Sequence, residues 1–323
     1  MTVDRSNNNR SSQIPAILGP TASGKSALAM RAAKEFGCEI ISCDSRQIYR
    51  GFDIGTAKPS IAERMAVPHH MIDIIDPSQE YSAYDYAIDT AGIIHQKVAE
   101  GKQVIICGGT GFYFKALSEN SFADVNGSEE FRQECFERIK NSSSQILHDE
   151  LASIDEEAAR RINSNDLPRV IRALFIAKTS GRPVSDNFAS VNHDREFDFL
   201  PIVLTVPREI LYDRINFRAL EMMNAGLYDE FISLREQGVT QNHPAMTSVG
   251  YRELFDVESG TSDAKTALDK MRHATRKYAK RQVTWFAHSC AGAMYVDATD
   301  IDAAWRILRP KLGRCFDQDR CNE

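Results

Sequence analysis

The stretch GPTASGKS, Gly19 to Ser26, fits G-x-x-x-x-G-K-[ST] in full. A loop of this composition turns a row of backbone N–H groups and a helix N-terminus toward an anion, so it holds phosphate oxygens by partial charge and hydrogen bonds. Gly19, Pro20, Thr21, Ala22, Ser23, Gly24, Lys25 and Ser26 are therefore predicted to cradle phosphate. Lys25 would be the point charge on the outer oxygens, and Ser26 the ligand of a bridging Mg²⁺. The motif does not say whose phosphate it is. Other positions could act on that ligand. Asp44 follows an apolar run and could take a proton; Thr110, among the glycines of ICGGTGF, could donate to a phosphate or a leaving oxygen. Arg214 and Arg218 stand four apart on one helical face and could grip an anion. Each also has a plainer reading as a turn residue, a tight-turn hydroxyl or a solvated pair, and spacing alone does not choose.

Elements must carry these residues to one place. IPAILG is a short apolar run ending at the glycine loop, and Leu28, Ala32 and Phe36 then recur at helical spacing up to Gly37. CEIISCD and KQVIICGG repeat the pattern of a buried strand ending in a polar or glycine-rich loop, which is how parallel α/β sheets present their sites. The fold class predicted is α/β, a parallel sheet core of the P-loop NTPase kind with a helical insertion domain. The polar residues 1–12 read as a disordered tail, 13–118 and 198–311 as the core, 119–197 as the insertion and 312–323 as a second tail. Within the insertion, Asp166 fits an N-cap, Pro168 the first turn and Gly181 the stop of one helix. The pattern after 207 is helical to about Gln237, broken at Gly226, and a last strand is read at AMYVD.

The helix read over residues 263–286 carries Leu268, Met271, Thr275 and Tyr278 in one stripe, with Lys270, Arg276, Lys277, Lys280 and Arg281 roughly opposite and no acid within 270–286. A basic face with Tyr and Trp nearby is what a nucleic-acid backbone needs, and equally what a solvated face looks like. The net charge of −6 gives no global sign of nucleic-acid binding. Seven scattered cysteines without a C-x-x-C pair read as reduced thiols, not as disulfides or a zinc site. No apolar run reaches membrane-helix length and the start lacks a signal-peptide pattern, so a cytoplasmic protein without membrane contact is expected.

Eight blocks, in order from residue 16 to about 287, resemble the tRNA dimethylallyltransferase (tRNA isopentenyltransferase, IPP transferase) family: GPTASGKSALA, DSRQIYRGFDIGTAKP, PHHMIDIIDP, GGTGFYFKAL, NDLPRVIRALFIAKTSGRPVS, PREILYDRI, SVGYREL and TRKYAKRQVTWF. The resemblance implies transfer of a dimethylallyl group from dimethylallyl diphosphate to N6 of adenosine 37 in tRNAs reading UNN codons, with diphosphate released. It implies Asp44 as general base, with Thr110 and Arg218 stabilising the leaving group beside the phosphate loop and Mg²⁺. It also implies tRNA contacts at Asp44, Ser45, Arg46 and Gln47, at Thr110, at Pro168, Arg169, Val170, Ile171 and Arg172, at Thr247, Ser248, Val249, Gly250, Tyr251 and Arg252, and at Lys280, Arg281, Gln282 and Trp285. The expected partners are the anticodon stem-loop and dimethylallyl diphosphate, acting on a monomer.

The chain departs from the family in places. Residues 117–133 lack a proline-rich stretch that many relatives carry, which bears on Arg132 as a further tRNA contact, and no Cys2His2 finger follows residue 290. Two other activities compete on sequence grounds. An adenylate isopentenyltransferase would prenylate free AMP or ADP and leave the basic helix unused. A P-loop kinase would need a Walker-B aspartate, which no apolar strand clearly supplies.

Overall fold

The structure, a computed structural model, describes residues 13–119, 129–140, 143, 145–181, 183–185, 196–290 and 292–316. Five-residue apolar runs build the centre of a six-stranded sheet. β1 (Ile14–Leu18), β2 (Glu39–Cys43) and β4 (Val104–Gly108) are buried along nearly their whole length, as strands covered on both faces must be. With β3 (His69–His70), β5 (Phe199–Thr205) and β6 (Met294–Asp297) the order is β3-β2-β4-β1-β5-β6, every pairing parallel. The register sets Cys43, Gly108 and Leu18 level across β2, β4 and β1. The residues that follow them, Asp44, Gly109 and Gly19, therefore leave the sheet along one edge.

Helices cover both faces. α1 (Lys25–Phe36) starts at Gly24 and stops at Gly37, both left-handed, and buries Leu28, Ala29, Ala32 and Ala33. Burial of Leu28 alone contributes about 1.5–3 kcal/mol. α2 (Ile61–Ala66) and α3 (Ala83–Ala99) each begin with a serine capping box, and α4 (Gly111–Glu119) follows β4. The chain divides into two compact units, 1–118 with 196–323, and 119–195.

The second unit is helical: α5 (Glu129–Lys140), α6 (Gln145–Ile154), α7 (Glu156–Arg161) and α8 (Leu167–Ser180), closed around Leu147, Leu151, Val170 and Leu174. Asp166 stands at the N-terminus of α8 but makes no side-chain cap; its carboxylate pairs with Arg169 instead. Gly181 ends that helix in the left-handed conformation.

The first unit resumes after β5 with α9 (Arg208–Asn224), α10 (Leu227–Glu236), α11 (Phe255–Glu258), α12 (Ala264–Ser289) and α13 (Ile301–Phe316). The predicted tail from 312 is corrected over its first residues: Leu312, Cys315 and Phe316 are buried in the last turns of α13, where Phe316 lies 5.2 Å from the Phe36 ring. Residues 317–323 and the expected tail 1–12 lie outside the described residues. Among the described residues, no helix is long and apolar enough to cross a membrane.

Candidate active site

A cavity of about 450 Å³ opens at the C-terminal edge of β1, β2 and β4. Its head is the phosphate loop. Gly24 has φ +90°, a backbone shape that disfavours side chains, and Ala22 is held at φ 63°, a strained value for a residue with a Cβ. Ser23 is fully buried, and its Oγ has no hydrogen-bond partner within the protein. A donor left unpaired there costs about 1–3 kcal/mol, which an incoming phosphate oxygen would relieve. Lys25 Nζ donates to the Pro20 carbonyl at 3.2 Å, and burial pulls its pKa below the ordinary lysine value. Arg218 donates to Thr21 Oγ1 at 3.3 Å. Burial lowers its pKa too, against the opposing pull of Asp44. Two cations thus face one carboxylate, an imbalance that favours an anion.

Sequence spacing left open which arginine enters the site, and the structure decides it. Arg214 donates to the carbonyls of Ala298 and Thr299 and ties α9 to the loop after β6, while Arg218, one turn on, lines the cavity.

Asp44 begins the turn after β2, and its Oδ1 accepts from the Arg46 N–H at 2.9 Å. Thr110 is locked beside it: its N–H donates to the Cys43 carbonyl at 3.1 Å, and its Oγ1 accepts from the Ser45 N–H at 3.0 Å. The Tyr278 hydroxyl hydrogen-bonds Thr110, and its pKa is pushed up to about 12, chiefly by burial and then by the charge of Asp44. Cys107 lies under Lys25 and Ser26 with its thiol raised to about 11 by burial, so it is inert packing.

The glycines after β4 make room for neighbouring parts of the protein. A Cβ on Gly108 would run into the Cys43 carbonyl, one on Gly109 would meet Gln282 Nε2 at 2.5 Å, and one on Gly111 would enter the Trp285 ring. They let protein approach protein.

Several residues read as tRNA contacts have partners within the protein. Gln282 is buried and bridges the site, accepting from the Thr21 N–H at 2.9 Å and donating to the Gly109 carbonyl at 2.8 Å. The Gln47 amide is engaged by Ser42 and by the carbonyls of Thr56 and Ala57. Tyr251 is fully buried, donating to Glu230 and accepting from the Gly55 N–H at 3.1 Å. Ser248 and Gly250 are buried, and Val170 and Ile171 belong to the core of the helical unit. These side chains shape loops and helices, and Gln47, Ser248 and Gln282 also line the cavity. Pro168, Arg169 and Arg172 are exposed on that unit; Arg132 has no described side chain.

In the first unit, Thr247, Arg252, Lys280 and Arg281 are exposed, and Ser45, Arg46, Val249 and Trp285 are half-buried. Arg46 donates to Thr247 Oγ1 at 3.0 Å and to the Pro244 carbonyl, bracing that loop. The basic face of α12 is less bare than its sequence reads, because Lys270 pairs with Asp256 from α11 at 2.7 Å and Arg272 with Asp269. Lys277 and Lys280 are exposed. Sequence reading missed Phe112, 53% exposed, with its ring 5.8 Å from Trp285. It also missed that the Met271, Thr275 and Tyr278 stripe borders the cavity. The i, i+4 step from Tyr278 to the functional Gln282 was the available signal.

The residues present fit a substrate-borne Mg²⁺. The Ser26 hydroxyl opens to the cavity, and no group of three His, Cys, Asp or Glu side chains forms a metal cage among the described residues. One protein oxygen with phosphate oxygens and waters is the usual Mg²⁺ arrangement.

Comparison with known proteins agrees with this geometry. A family model described as IPP transferase matches residues 47–289. A tRNA dimethylallyltransferase of a Thermoanaerobacter species is 42% identical over 278 residues, covering 85% of this chain and 88% of its own. The crystal structure of the full-length tRNA isopentenylpyrophosphate transferase of Bacillus halodurans superposes with a TM-score of 0.69 at 35% identity, covering 96% of this chain and 99% of that one. A eukaryotic dimethylallyltransferase, solved in crystallographic snapshots of its action on tRNA, gives a TM-score of 0.81 at 25% identity, covering 94% and 79%. With the phosphate loop, Asp44, Thr110 and Arg218 gathered at one sheet edge, this chain belongs to the IPP transferase family.

Proposed function

We propose that the protein transfers the dimethylallyl group of dimethylallyl diphosphate to N6 of adenosine 37 in tRNAs reading UNN codons, releasing diphosphate. The observation that carries this reading is a cradle with two half-buried cations and an unpartnered Ser23 hydroxyl, set beside a single carboxylate, Asp44. Relatives named for action on tRNA support the acceptor, and neither free AMP nor phosphoryl transfer is favoured.

Adenine N6 is a poor nucleophile because its lone pair is delocalised into the ring. Its attack on the allylic carbon forms the N6–C1 bond as the C1–O bond breaks. The oxygen's electron pair leaves with diphosphate, and the N6 proton passes to Asp44. Lys25, Arg218, the Thr110 hydroxyl and the loop N–H groups take up the growing charge on the leaving oxygen. Held by Ser26, Mg²⁺ would neutralise part of the same charge. Tyr278 and Ser45 hold Thr110 in line, and Gln282 holds the phosphate loop against β4. On this reading Arg46, Thr247, Arg252, Lys280, Arg281 and Trp285, with Pro168, Arg169 and Arg172 of the helical unit, contact the anticodon stem-loop. The protein acts as a cytoplasmic monomer.

Incubation with labelled dimethylallyl diphosphate, Mg²⁺ and unmodified tRNA should label the tRNA, and Asp44→Asn should lower the single-turnover rate by about 10²–10⁴ with little change in tRNA affinity. Absence of label sinks the reading. Equal loss of rate and affinity recasts Asp44 as a binding residue.

A further inference from the structure

Phe112 stands two residues after Thr110 in the first turn of α4, a turn pinned by the Tyr113 N–H donating to the Thr110 carbonyl at 3.0 Å. The residues that follow it are anchored in the core: Tyr113 stacks on Tyr86 with ring centroids 4.4 Å apart, and Phe114 meets Phe199 edge-on at 5.6 Å. Phe112 itself is 53% exposed, and its ring lies 5.8 Å from that of Trp285, tilted at 53°. Trp285 is held in its turn, since its six-membered ring lies against Gly111 and Phe286 stands perpendicular to it at 5.2 Å. The pair belongs to the edge of the site. On α12, Tyr278, Arg281 and Gln282 line the cavity, and Trp285 comes seven, four and three residues after them on the same helical face. The charge around the two rings is positive: Lys280 and Arg281 are exposed, and the chain has no acid from 270 to 286.

Resting on the transfer reading above, we infer that Phe112 is an RNA-contact residue: with Trp285 it stacks on the base of a nucleotide next to the acceptor adenosine. Asp44 lines a cavity, so an acceptor base brings N6 to it only by leaving the stack of its own strand. The neighbouring base is then left with a bare face. An exposed aromatic ring replaces the lost stacking partner whatever the sequence, because every base has a π-face. Single apolar residues on a surface are ordinary. What sets Phe112 apart is its place between Thr110 and Trp285, beside cations. A second copy of this chain would meet the same rings, but it would not account for those cations, which a phosphate backbone matches.

The test measures binding of an unmodified anticodon stem-loop to the whole protein by fluorescence anisotropy, with no turnover required. Phe112→Ala should weaken binding by about five- to a hundredfold, the loss of one stacked base. The slope of log affinity against log salt should keep its wild-type value, because no phosphate contact is removed. Phe112→Trp should bind as wild type does, while Phe112→Leu, apolar but without a π-face, should bind like the alanine variant. An abasic nucleotide on one side of the acceptor should cost wild type a similar factor and cost Phe112→Ala little more. All variants should bind a dimethylallyl diphosphate analogue as wild type does; a loss there too would make Phe112 a support of Thr110 and overturns the inference. Full RNA affinity in Phe112→Ala or Phe112→Leu overturns it and leaves the transfer reading standing, as do abasic losses that add in full to the Phe112→Ala loss on both sides of the acceptor. A wild-type dimer in sedimentation that Phe112→Ala dissolves would seat a second copy on these rings instead. Wild type binding no stem-loop defeats the tRNA acceptor itself, and the inference with it.

Discussion

Lys25 shows how much one side chain's surroundings decide. A lysine at the head of a helix is charged in water up to its ordinary value of 10.5, but here burial lowers that value, with Cys107 and Asp44 pulling the other way and Arg218 adding to the fall. On the proposed function the charged form grips phosphate, so affinity should be full below the depressed pKa and be lost as pH rises through it. Calorimetric titration with a non-reactive dimethylallyl diphosphate analogue should therefore show binding weakening at a pH below 10.5. In Lys25→Arg the affinity should stay flat over that range, because a guanidinium does not titrate there. A wild-type curve flat up to that pH would mean that the lysine is not desolvated in the free protein. Asp44 and Arg218 were both legible as residue types at plausible positions. That Arg218 and not Arg214 faces the cradle was not, because four residues on one helix leave both on the same face until the neighbours of that face are known.

At the scale of elements, α12 does two tasks on two faces. Its inner face brings Gln282, Tyr278 and Met271 to the cavity, and its outer face exposes Lys277 and Lys280. Periodicity distinguished the two faces in the sequence, yet it could not tell a stripe that packs in a core from one that walls a cavity, since both need apolar residues at helical spacing. The outer face should act through charge. Lys280→Ala should weaken tRNA binding and reduce the slope of log affinity against log salt by about 0.7–0.9, the share of one phosphate. Filter binding across salt concentrations measures it, and an unchanged slope would return Lys280 to solvent. The β4–α4 turn teaches a related lesson. The glycines of GGTG are there because Cys43, Gln282 and Trp285 sit where a Cβ would be.

The whole chain consists of two units with separate cores, 119–195 being built around its own apolar cluster. Separate cores imply separable damage. Leu174, fully buried in the helical unit, should cost about 2–5 kcal/mol of that unit's stability on Leu174→Ala. Calorimetry should then show an earlier unfolding transition while the diphosphate analogue binds the first unit with unchanged affinity. Loss of that affinity would show that the two cores are not independent. The end of the strand pattern at 119 and its return at 199 marked the insertion in the sequence, because a strand's short apolar run is a local signal. The packed C-terminal turns of α13 escaped that reading, since Leu312, Cys315 and Phe316 gain their reason only from Phe36 and its neighbours.

By itself the sequence determined the phosphate loop, the parallel α/β core, the helical insertion and the family, all written in runs of a few to a dozen residues whose glycines, apolar periods and hydroxyls are local properties. The tertiary structure alone decided that Arg218 and not Arg214 lines the cavity and that Gln47, Gln282 and Tyr251 brace loops. The physical reason is separation along the chain. Thr21 and Gln282 are 261 residues apart, and what each side chain does depends on the partner that folding brings to it.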